Sequence, residues 1–308
     1  MEQRDVWARR FVGAIPELAR LTGGEDGFTA SVAKERQDRT LRWRGRGLHI
    51  EVFGHDPTAP TIVFHHGYGA YSALYAPLLL LLAARGINVV AIDRPGHGLS
   101  EGRRGDCTVG ELADVTRLVI QTHVAPSSRA VVLFGSSAGG MLTSCLIPHL
   151  DDLVDGYVCH GVHNPRHARS HLGRVLLGCA EAVPSARFPY RLIPRHIRRG
   201  ISENPVVRTW FQPGSDPLAS LDQSLRSVFS MTVAYQPPRP LSKVDRPVYV
   251  LIGAADKMLP ERQTTRSLER MRLRNLHVEV VNGGHMLLHE QPERVLGAVT
   301  RATAALLG

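Results

Sequence analysis

Short runs of apolar residues alternate along the chain with longer segments in which apolar residues recur at helical spacing. The apolar runs have the length of buried strands and stand at residues 61–65, 87–92, 131–134, 154–159, 248–252 and 276–281. Segments typical of helices lie between them, over residues 73–85, 108–124, 138–148, 261–272 and 291–307. Strands that alternate with helices favour a mostly parallel sheet with helices on both faces. The pattern therefore predicts an α/β fold built on a doubly wound sheet.

The N-terminal segment precedes this alternation and has a different pattern. Apolar residues at helical spacing predict one amphipathic helix over residues 4–21. Residues 29–34 and 41–53 are predicted to be antiparallel strands, because turn residues cluster near residues 44–47.

The alternation stops between residues 161 and 235, where only short helical pieces are found. Prolines interrupt these pieces, at Pro165, Pro184, Pro189, Pro194, Pro205, Pro213 and Pro217. Since the strand pattern resumes at residue 248, we expect this segment to be an insertion that forms a helical cap above the sheet. The predicted organisation is a helical extension (residues 1–28), a core (29–160 and 236–308) and a helical cap (161–235).

The formal charge of +9 is carried almost entirely by arginine. No helix-turn-helix, zinc-finger or RNA-binding aromatic motif accompanies it, so we expect solvated arginine surfaces and no nucleic-acid partner. No apolar run approaches the length of a transmembrane segment, and the charged N-terminus is unlike a secretory signal. The four cysteines are scattered without a C-x-x-C pair, as is common for reduced thiols. These features predict a cytoplasmic protein.

A catalytic motif follows the apolar run at residues 131–134. The chain continues as Gly135-Ser136-Ser137-Ala138-Gly139 and then enters an apolar helix. This is G-x-S-x-G between a strand and a helix, an arrangement that exposes a serine nucleophile on a sharp turn. The glycines two residues before and after Ser137 allow close backbone contacts, whereas Ser136 lacks glycines at these offsets. Ser137 is therefore the candidate nucleophile.

Further motifs resemble those of the α/β-hydrolase superfamily. They are His66-Gly67-Tyr68-Gly69, the run from Asp93 to Gly102 (DRPGHGLSEG), and Gly284-His285. The resemblance covers about residues 48–160 and 244–306, and the motifs look like those of serine hydrolases of the lysophospholipase and monoacylglycerol-lipase type. That branch commonly has G-H-S-M-G at the nucleophile, whereas this chain has Ser136 and Ala138 at the variable positions. The resemblance implies an α/β-hydrolase fold with an inserted helical cap.

A serine nucleophile needs a base, and the base needs an acid that fixes its tautomer. In this superfamily the order along the chain is serine, acid, histidine. Asp256 follows the strand VYVLIG and His285 follows the strand LHVEVV, so both stand at the strand edge expected for Ser137. Alternatively, Asp256 could cap a helix and His285 could be a loop imidazole. His289 is the second choice for the base.

The tetrahedral intermediate needs backbone donors for its oxyanion. The resemblance assigns these donors to the N–H groups of Ala138 and of Tyr68, which follows the predicted strand at residues 61–65. His66 and Gly67 before it are expected to support the loop, as Gly135 and Gly139 support the nucleophile turn. His97 is likewise expected to be structural.

Four histidines, His160, His163, His167 and His171, form a cluster at metal-like spacing. Arginines interleave them, and the sequence offers no evident further ligand or supporting carboxylate. We therefore expect a polar cap surface or pocket rim, with no metal and no cofactor.

The leading hypothesis is a serine hydrolase that cleaves a small-molecule carboxylic ester through an acyl-enzyme intermediate. A thioesterase or other acyl-transfer enzyme, with a carrier or CoA partner, would use the same triad. A binding protein on a hydrolase scaffold is the third hypothesis. The cap is expected to roof an acyl pocket with the apolar residues Leu172, Val175, Leu176, Cys179, Trp210, Phe211 and Phe229, while its arginines face solvent or the pocket entrance. The sequence leaves the acyl group, the leaving group and the oligomeric state open.

Overall fold

The computed structural model describes residues 2–162 and 171–307, whose strands are numbered here in chain order. They are β1 (Arg36–Trp43), β2 (Arg46–Phe53), β3 (Thr61–His65), β4 (Asn88–Ile92), β5 (Val131–Ser136), β6 (Gly156–His160), β7 (Arg187–Phe188), β8 (Gln223–Ser224), β9 (Val248–Gly253) and β10 (Leu276–Val281). Short 3-10 helices occupy Gln3–Asp5, Ser72–Tyr75, Tyr190–Leu192 and Leu241–Lys243.

The α-helices are distributed over the extension, the core and the predicted cap. They are α1 (Val6–Ala14), α2 (Pro16–Thr22), α3 (Gly24–Glu35), α4 (Ala76–Ala83), α5 (Val109–His123), α6 (Ala138–Leu150), α7 (His171–Ala182), α8 (Arg195–Arg199), α9 (Pro205–Trp210), α10 (Leu225–Met231), α11 (Glu261–Met271), α12 (Leu287–Glu290) and α13 (Pro292–Ala305). Among these helices, none is long and apolar enough to cross a membrane.

One sheet of the described residues has eight strands in the order β1-β2-β4-β3-β5-β6-β9-β10. The β1–β2 and β2–β4 pairs are antiparallel, and the remaining pairs are parallel. Alternate residues of β3 point to opposite faces: Ile62 and Phe64 join a core with α1, α4 and α13, and Val63 joins a core with α5 and α6. The mostly parallel, doubly wound sheet confirms the predicted fold class.

The predicted N-terminal elements were partly wrong. The helix expected over residues 4–21 is divided into α1 and α2 at Ile15, which is extended and precedes Pro16. Residues 29–34, expected to form a strand, lie in helix α3, where Phe28 and Val32 bury one helix face. The antiparallel hairpin is β1–β2, and its turn contains Arg44 and Gly45, both with positive φ.

The segment predicted as a helical cap contains four helices within its described residues, α7 to α10. It also contains the short antiparallel pair β7–β8, which the sequence did not suggest. The apolar face of α7 was expected to cover the pocket, and this expectation was wrong. Leu172 is 66% exposed and Val175 is 48% exposed, so this face of α7 points away from the molecule.

Two further expectations from the sequence concern the end of helix α6 and the state of the cysteines. Helix α6 continues to Leu150 and carries Pro148 in its last turn, although the sequence suggested an end at Pro148. All four cysteines are free, which agrees with the expectation of reduced thiols; Cys107, Cys145 and Cys159 are buried and Cys179 is exposed.

Candidate active site

Ser137 occupies a strained turn between β5 and α6. Its backbone has φ 54° and ψ −118°, a conformation that residues with a Cβ rarely adopt. The glycines on either side are required by close packing. A Cβ on Gly135 would lie 2.2 Å from the carbonyl oxygen of Gly139, and one on Gly139 would lie 2.2 Å from that of His65. The turn therefore holds the serine against the carboxyl edge of β3 and β5.

The three residues proposed from the sequence as nucleophile, base and acid form one hydrogen-bonded chain. Ser137 Oγ lies 2.8 Å from Nε2 of His285. Nδ1 of His285 lies 2.8 Å from Oδ2 of Asp256. His285 and Asp256 are buried, whereas Ser137 is partly accessible. A serine with these partners can give up its proton to the imidazole as it attacks a carbonyl carbon.

Asp256 is held in place by its other carboxylate oxygen. Oδ1 accepts hydrogen bonds from the backbone N–H groups of Met258, at 2.7 Å, and Leu259, at 2.8 Å. The two interpretations of Asp256 are thus compatible, since it closes a turn and contacts His285 at the same time. Burial disfavours the charged carboxylate, but the hydrogen bonds from His285 and Leu259 keep its pKa below the ordinary value. The carboxylate therefore stays ionised beside the imidazole.

The loop after β3 lies against the nucleophile turn. A Cβ on Gly67 would lie 3.6 Å from Cβ of Ser137 and 2.6 Å from the hydroxyl of Tyr75. The Tyr75 hydroxyl accepts a hydrogen bond from the Gly67 N–H at 3.1 Å. Ala138, the first residue of α6, is on the other side of Ser137. Tyr68 follows Gly67 in this loop. The two candidate oxyanion residues are therefore placed on either side of the nucleophile, Ala138 directly after Ser137 and Tyr68 directly after Gly67, which packs against Ser137.

Arg94 supports this loop from within the core and was not singled out from the sequence. Its Nη1 donates to the carbonyl oxygen of His66 at 2.8 Å, and its Nη2 donates to that of Gly67 at 3.0 Å. Burial lowers the pKa of Arg94 to about 10, so the guanidinium stays charged at neutral pH. Its position in the run after β4 was visible in the sequence, but its contact with another loop was not.

His66 and His97 have structural contacts, consistent with the sequence interpretation. His66 Nδ1 lies 3.0 Å from the carbonyl oxygen of Gly67, and His97 Nδ1 lies 3.1 Å from that of Pro95. Burial and the charge of Arg94 hold the pKa of His66 well below its ordinary value and lower that of His97 to about 3. Both imidazoles are therefore neutral near the site.

His289, the second choice for the base, lies elsewhere on the pocket wall. Its Nε2 contacts the carbonyl oxygen of Leu74 at 3.2 Å, and its ring packs edge-on against Phe11 with centroids 5.3 Å apart. Burial lowers its pKa to about 4. The hydrogen bond to Ser137 belongs to His285, so the geometry favours the first choice.

Two of the four histidines in the cluster suggested by the sequence, His160 and His171, lie within the described residues and have different surroundings. His160 ends β6, with Nε2 3.9 Å from Oδ2 of Asp256 and its ring centroid 5.5 Å from that of His285. Burial, followed by the nearby His285, lowers the pKa of His160 to about 3. His171 is exposed at the start of α7. His163 and His167 lie outside the described residues.

Two groups of side chains in the described ranges bring three possible metal-ligating atoms within 4.8 Å of one another. The first consists of His160, Asp256 and His285, but the latter two already bind each other. The second consists of Asp38, His49 and Glu51; Arg4 contacts all three of these side chains, which disfavours a cation there.

Ser137 and His285 face an apolar cavity of about 170 Å³. The predicted cap contributes Tyr190, Ile193, Ile201, Trp210, Phe211 and Met231 to its wall. Trp210 and Phe211 were expected in this role, whereas the α7 residues and Phe229 are not among the lining residues. An apolar cavity of ~150 Å³ can hold a benzene-sized ligand, so this space can hold a small apolar group beside Ser137.

The topology of the sheet and the serine turn define a hydrolase of the α/β class. The chain belongs to the alpha/beta hydrolase family, whose sequence model matches residues 62–298. It is 27% identical to the 2-(acetamidomethylene)succinate hydrolase of Mesorhizobium japonicum over 267 aligned residues. This alignment covers 79% of this chain and 87% of that protein. It is also 33% identical over 94 residues to the pimeloyl-[acyl-carrier protein] methyl ester esterase of Xanthomonas oryzae pv. oryzae, covering 30% of this chain and 32% of that protein.

A solved structure supports the same class. The monoacylglycerol lipase of Paleococcus ferrophilus superposes with a TM-score of 0.66 and 25% identity, over 84% of this chain and 99% of that one. Family membership together with these hydrolase and lipase relatives supports an enzyme of the hydrolase class. The resemblance to monoacylglycerol lipases inferred from the motifs is confirmed at the level of the superfamily.

Proposed function

We propose that the protein is a serine hydrolase that cleaves a small carboxylic ester through an acyl-enzyme intermediate. The observation that carries this proposal is the chain of 2.8 Å hydrogen bonds from Ser137 to His285 and from His285 to Asp256, at the wall of an apolar cavity. The relatives act on different molecules by name, so they support hydrolysis and leave the substrate to be determined.

In the proposed reaction, Ser137 Oγ attacks the acyl carbonyl carbon while its proton passes to Nε2 of His285. The N–H groups of Tyr68 and Ala138 stabilise the resulting oxyanion. His285 then donates that proton to the leaving alcohol as the bond to the alcohol oxygen breaks, leaving an ester on Ser137. Water, deprotonated by the same imidazole, hydrolyses this ester and restores the free serine. Asp256 keeps the imidazole in the required tautomer and stabilises its charged form.

Labelling with a fluorophosphonate probe and turnover of p-nitrophenyl butyrate test this proposal. Ser137→Ala should abolish both, and Asp256→Asn should keep the fold and lower kcat by about 10⁴-fold, since it favours the wrong tautomer. Ser127→Ala is the matched control, because Ser127 is an exposed residue whose hydroxyl donates to the carbonyl oxygen of Pro57. Labelling mapped to Ser136 with Ser137 unmodified would contradict the assignment of the nucleophile.

A thioesterase is the second candidate, because the same nucleophile and base cleave thioesters. The observation that favours it is a group of arginines beside the catalytic cavity, at Arg195, Arg198, Arg199 and Arg208. Acyl-CoA turnover faster than turnover of the p-nitrophenyl ester with the same acyl group would select this candidate. Binding of either substrate without turnover would instead indicate a binding protein.

A further inference from the structure

A second concavity, of about 240 Å³, opens to solvent next to the catalytic cavity. Four arginines line it, Arg195, Arg198 and Arg199 of α8 and Arg208 of α9, and we call it the arginine pocket. Tyr190 and Phe211 line both spaces. The two spaces therefore adjoin at these two rings.

The arginines of this pocket differ from others in the predicted cap. Arg226 forms ion pairs with Asp106 at 2.6 Å and Glu111 at 3.0 Å, which attach α10 to the core. Arg239, just beyond, pairs with Asp151. In contrast, within residues 2–162 and 171–307 none of the four arginines of the pocket pairs with a carboxylate. Among the described residues, the pocket thus concentrates positive charge that no carboxylate pairs with.

Three acidic residues near the arginine pocket in the sequence have partners elsewhere. Glu203 is exposed, and its Oε1 lies 3.8 Å from Nζ of Lys257. Asp216 is buried, and its Oδ2 accepts hydrogen bonds from Tyr71 at 2.7 Å and Trp210 at 2.8 Å. Oδ1 of Asp222 accepts from the backbone N–H of Tyr190 at 2.8 Å. The two aspartates shape the wall, and the three carboxylates leave the guanidinium groups available to a ligand.

One arginine is already oriented by the wall that the two spaces share. Nε of Arg198 donates to the carbonyl oxygen of Ile193 at 2.9 Å, and its guanidinium lies 5.5 Å from the centre of the Tyr190 ring. Tyr190 is itself buried. Guanidinium groups offer several N–H donors in a planar array, which suits the oxygen atoms of a phosphate.

We propose that the arginine pocket binds a phosphate group carried by the leaving group of the substrate, while the acyl group occupies the apolar cavity. This inference rests on the proposed function, because it assigns the acyl group to the cavity beside Ser137. The phosphate could belong to a CoA-type thioester or to a glycerophosphate ester. Both present the same chemistry to the arginines, and matched substrates distinguish them.

The test compares kcat/KM for two substrate pairs that differ mainly in phosphate. One pair is butyryl-4′-phosphopantetheine and butyryl-pantetheine, and the other is 1-butyryl-glycerol 3-phosphate and 1-butyryl-glycerol. In at least one pair the phosphate-bearing member should be preferred. The double variant Arg199→Gln/Arg208→Gln should lower kcat/KM for that member by about tenfold or more, and for its neutral partner by less than about twofold. The loss should shrink at high salt.

The control is Arg85→Gln/Arg129→Gln, which removes the same charge. Arg85 precedes β4 and Arg129 precedes β5, so both lie at the sheet edge opposite Ser137. Equal activity on both members of each pair in the unmodified enzyme would overturn the proposal. So would an equal loss on both members in the arginine variant, since it would mean that the arginines only maintain the cap.

Binding without turnover separates this inference from the proposed function. Calorimetric titration of the Ser137→Ala protein with CoA and with glycerol 3-phosphate should detect binding of at least one of them, weakened about tenfold by Arg199→Gln/Arg208→Gln. If the arginine variant binds both compounds as tightly as the Ser137→Ala protein does, the proposal that the arginine pocket binds phosphate is refuted, even if the enzyme hydrolyses esters. Failure of Ser137 to react with esters would refute the proposed function and leave this binding result to stand on its own.

Discussion

Replacing Glu51 by glutamine should change how the stability of the protein depends on pH. Glu51 lies on β2, fully buried beneath the N-terminal extension. Its Oε1 is 3.5 Å from Nη1 of Arg4 and 3.6 Å from Nη1 of Arg36. Neither carboxylate oxygen has a hydrogen-bond partner among the described residues. The side chain is thus close to two positive charges but poorly solvated.

The pKa of Glu51 indicates whether the attraction of the two positive charges or the loss of hydration has the larger effect on its carboxylate. Burial raises it from the ordinary 4.5 to about 7, although Arg36 and His49 act in the opposite direction. The loss of hydration therefore outweighs the attraction of the nearby charges. At ~1.4 kcal/mol per pKa unit, holding the ionised carboxylate costs the folded state about 3 kcal/mol at most.

The sign follows from the protons bound in each state. Between pH 4.5 and about 7 the folded protein keeps the Glu51 proton more often than the unfolded chain does. The contribution of Glu51 to the free energy of unfolding therefore falls as the pH rises through this interval, and the full cost is present above it. Glutamine resembles the protonated side chain and does not titrate. The free energy of unfolding of Glu51→Gln, relative to that of the unmodified protein, should therefore increase by up to about 3 kcal/mol as the pH rises from about 4.5 to 8.

Urea unfolding followed by tryptophan fluorescence, repeated across this pH range, measures the difference directly. The difference between the free energies of unfolding of the two proteins reports Glu51 together with its coupling to His49, whose pKa Glu51 helps to raise. Glu269→Gln, an exposed position on α11, controls for the loss of one negative charge. A difference between Glu51→Gln and the unmodified protein that stays constant with pH would refute the reasoning, since it would mean that Glu51 titrates alike in both states.

Two further predictions concern the site itself. Arg94→Met should lower kcat on p-nitrophenyl butyrate by about tenfold to a hundredfold with little change in KM, because the loop carrying Tyr68 loses its two anchoring hydrogen bonds; an equal loss in an Arg85→Met control would contradict this. The rise of kcat/KM with pH should follow a single deprotonation of the catalytic base, because burial lowers the pKa of His97 and His160 to about 3 and that of His289 to about 4, so these imidazoles are already neutral. A flat profile between about pH 5 and 8, or a limb that needs two protons, would argue against one histidine base.

The hydrogen-bonded chain at the site could be predicted from the sequence because topology alone brings its members together. Residues that follow parallel strands meet at one edge of the sheet, so Ser137 after β5, Asp256 after β9 and His285 after β10 needed no knowledge of side-chain packing. The turn could be predicted for a similar reason, since only glycine fits at positions 135 and 139. The ends of the strands and the positions of the glycines can both be read from a single sequence, and these two features were sufficient to predict the site.

The segment predicted as a cap was less predictable because amphipathic spacing does not identify what a helix face packs against. Leu172, Val175 and Leu176 have the spacing of a buried face, yet all three are exposed. The residues that do line the cavity, among them Tyr190 and Ile193, stand in short segments between prolines without periodicity. The pairing of β7 with β8 joins residues more than thirty positions apart, which no local pattern indicates.

The N-terminal extension shows most directly how long-range packing changes the role of a segment. In the sequence it was an additional helix without a function. In the structure Nε1 of Trp7 donates to the carbonyl oxygen of Ser215 at 3.3 Å, and Nδ2 of Asn204 donates to that of Ala14 at 3.0 Å. Phe11 packs against His289, which lines the catalytic cavity. The extension therefore contacts both the predicted cap segment and a residue of the cavity wall, and its helices support one side of the apolar cavity beside Ser137.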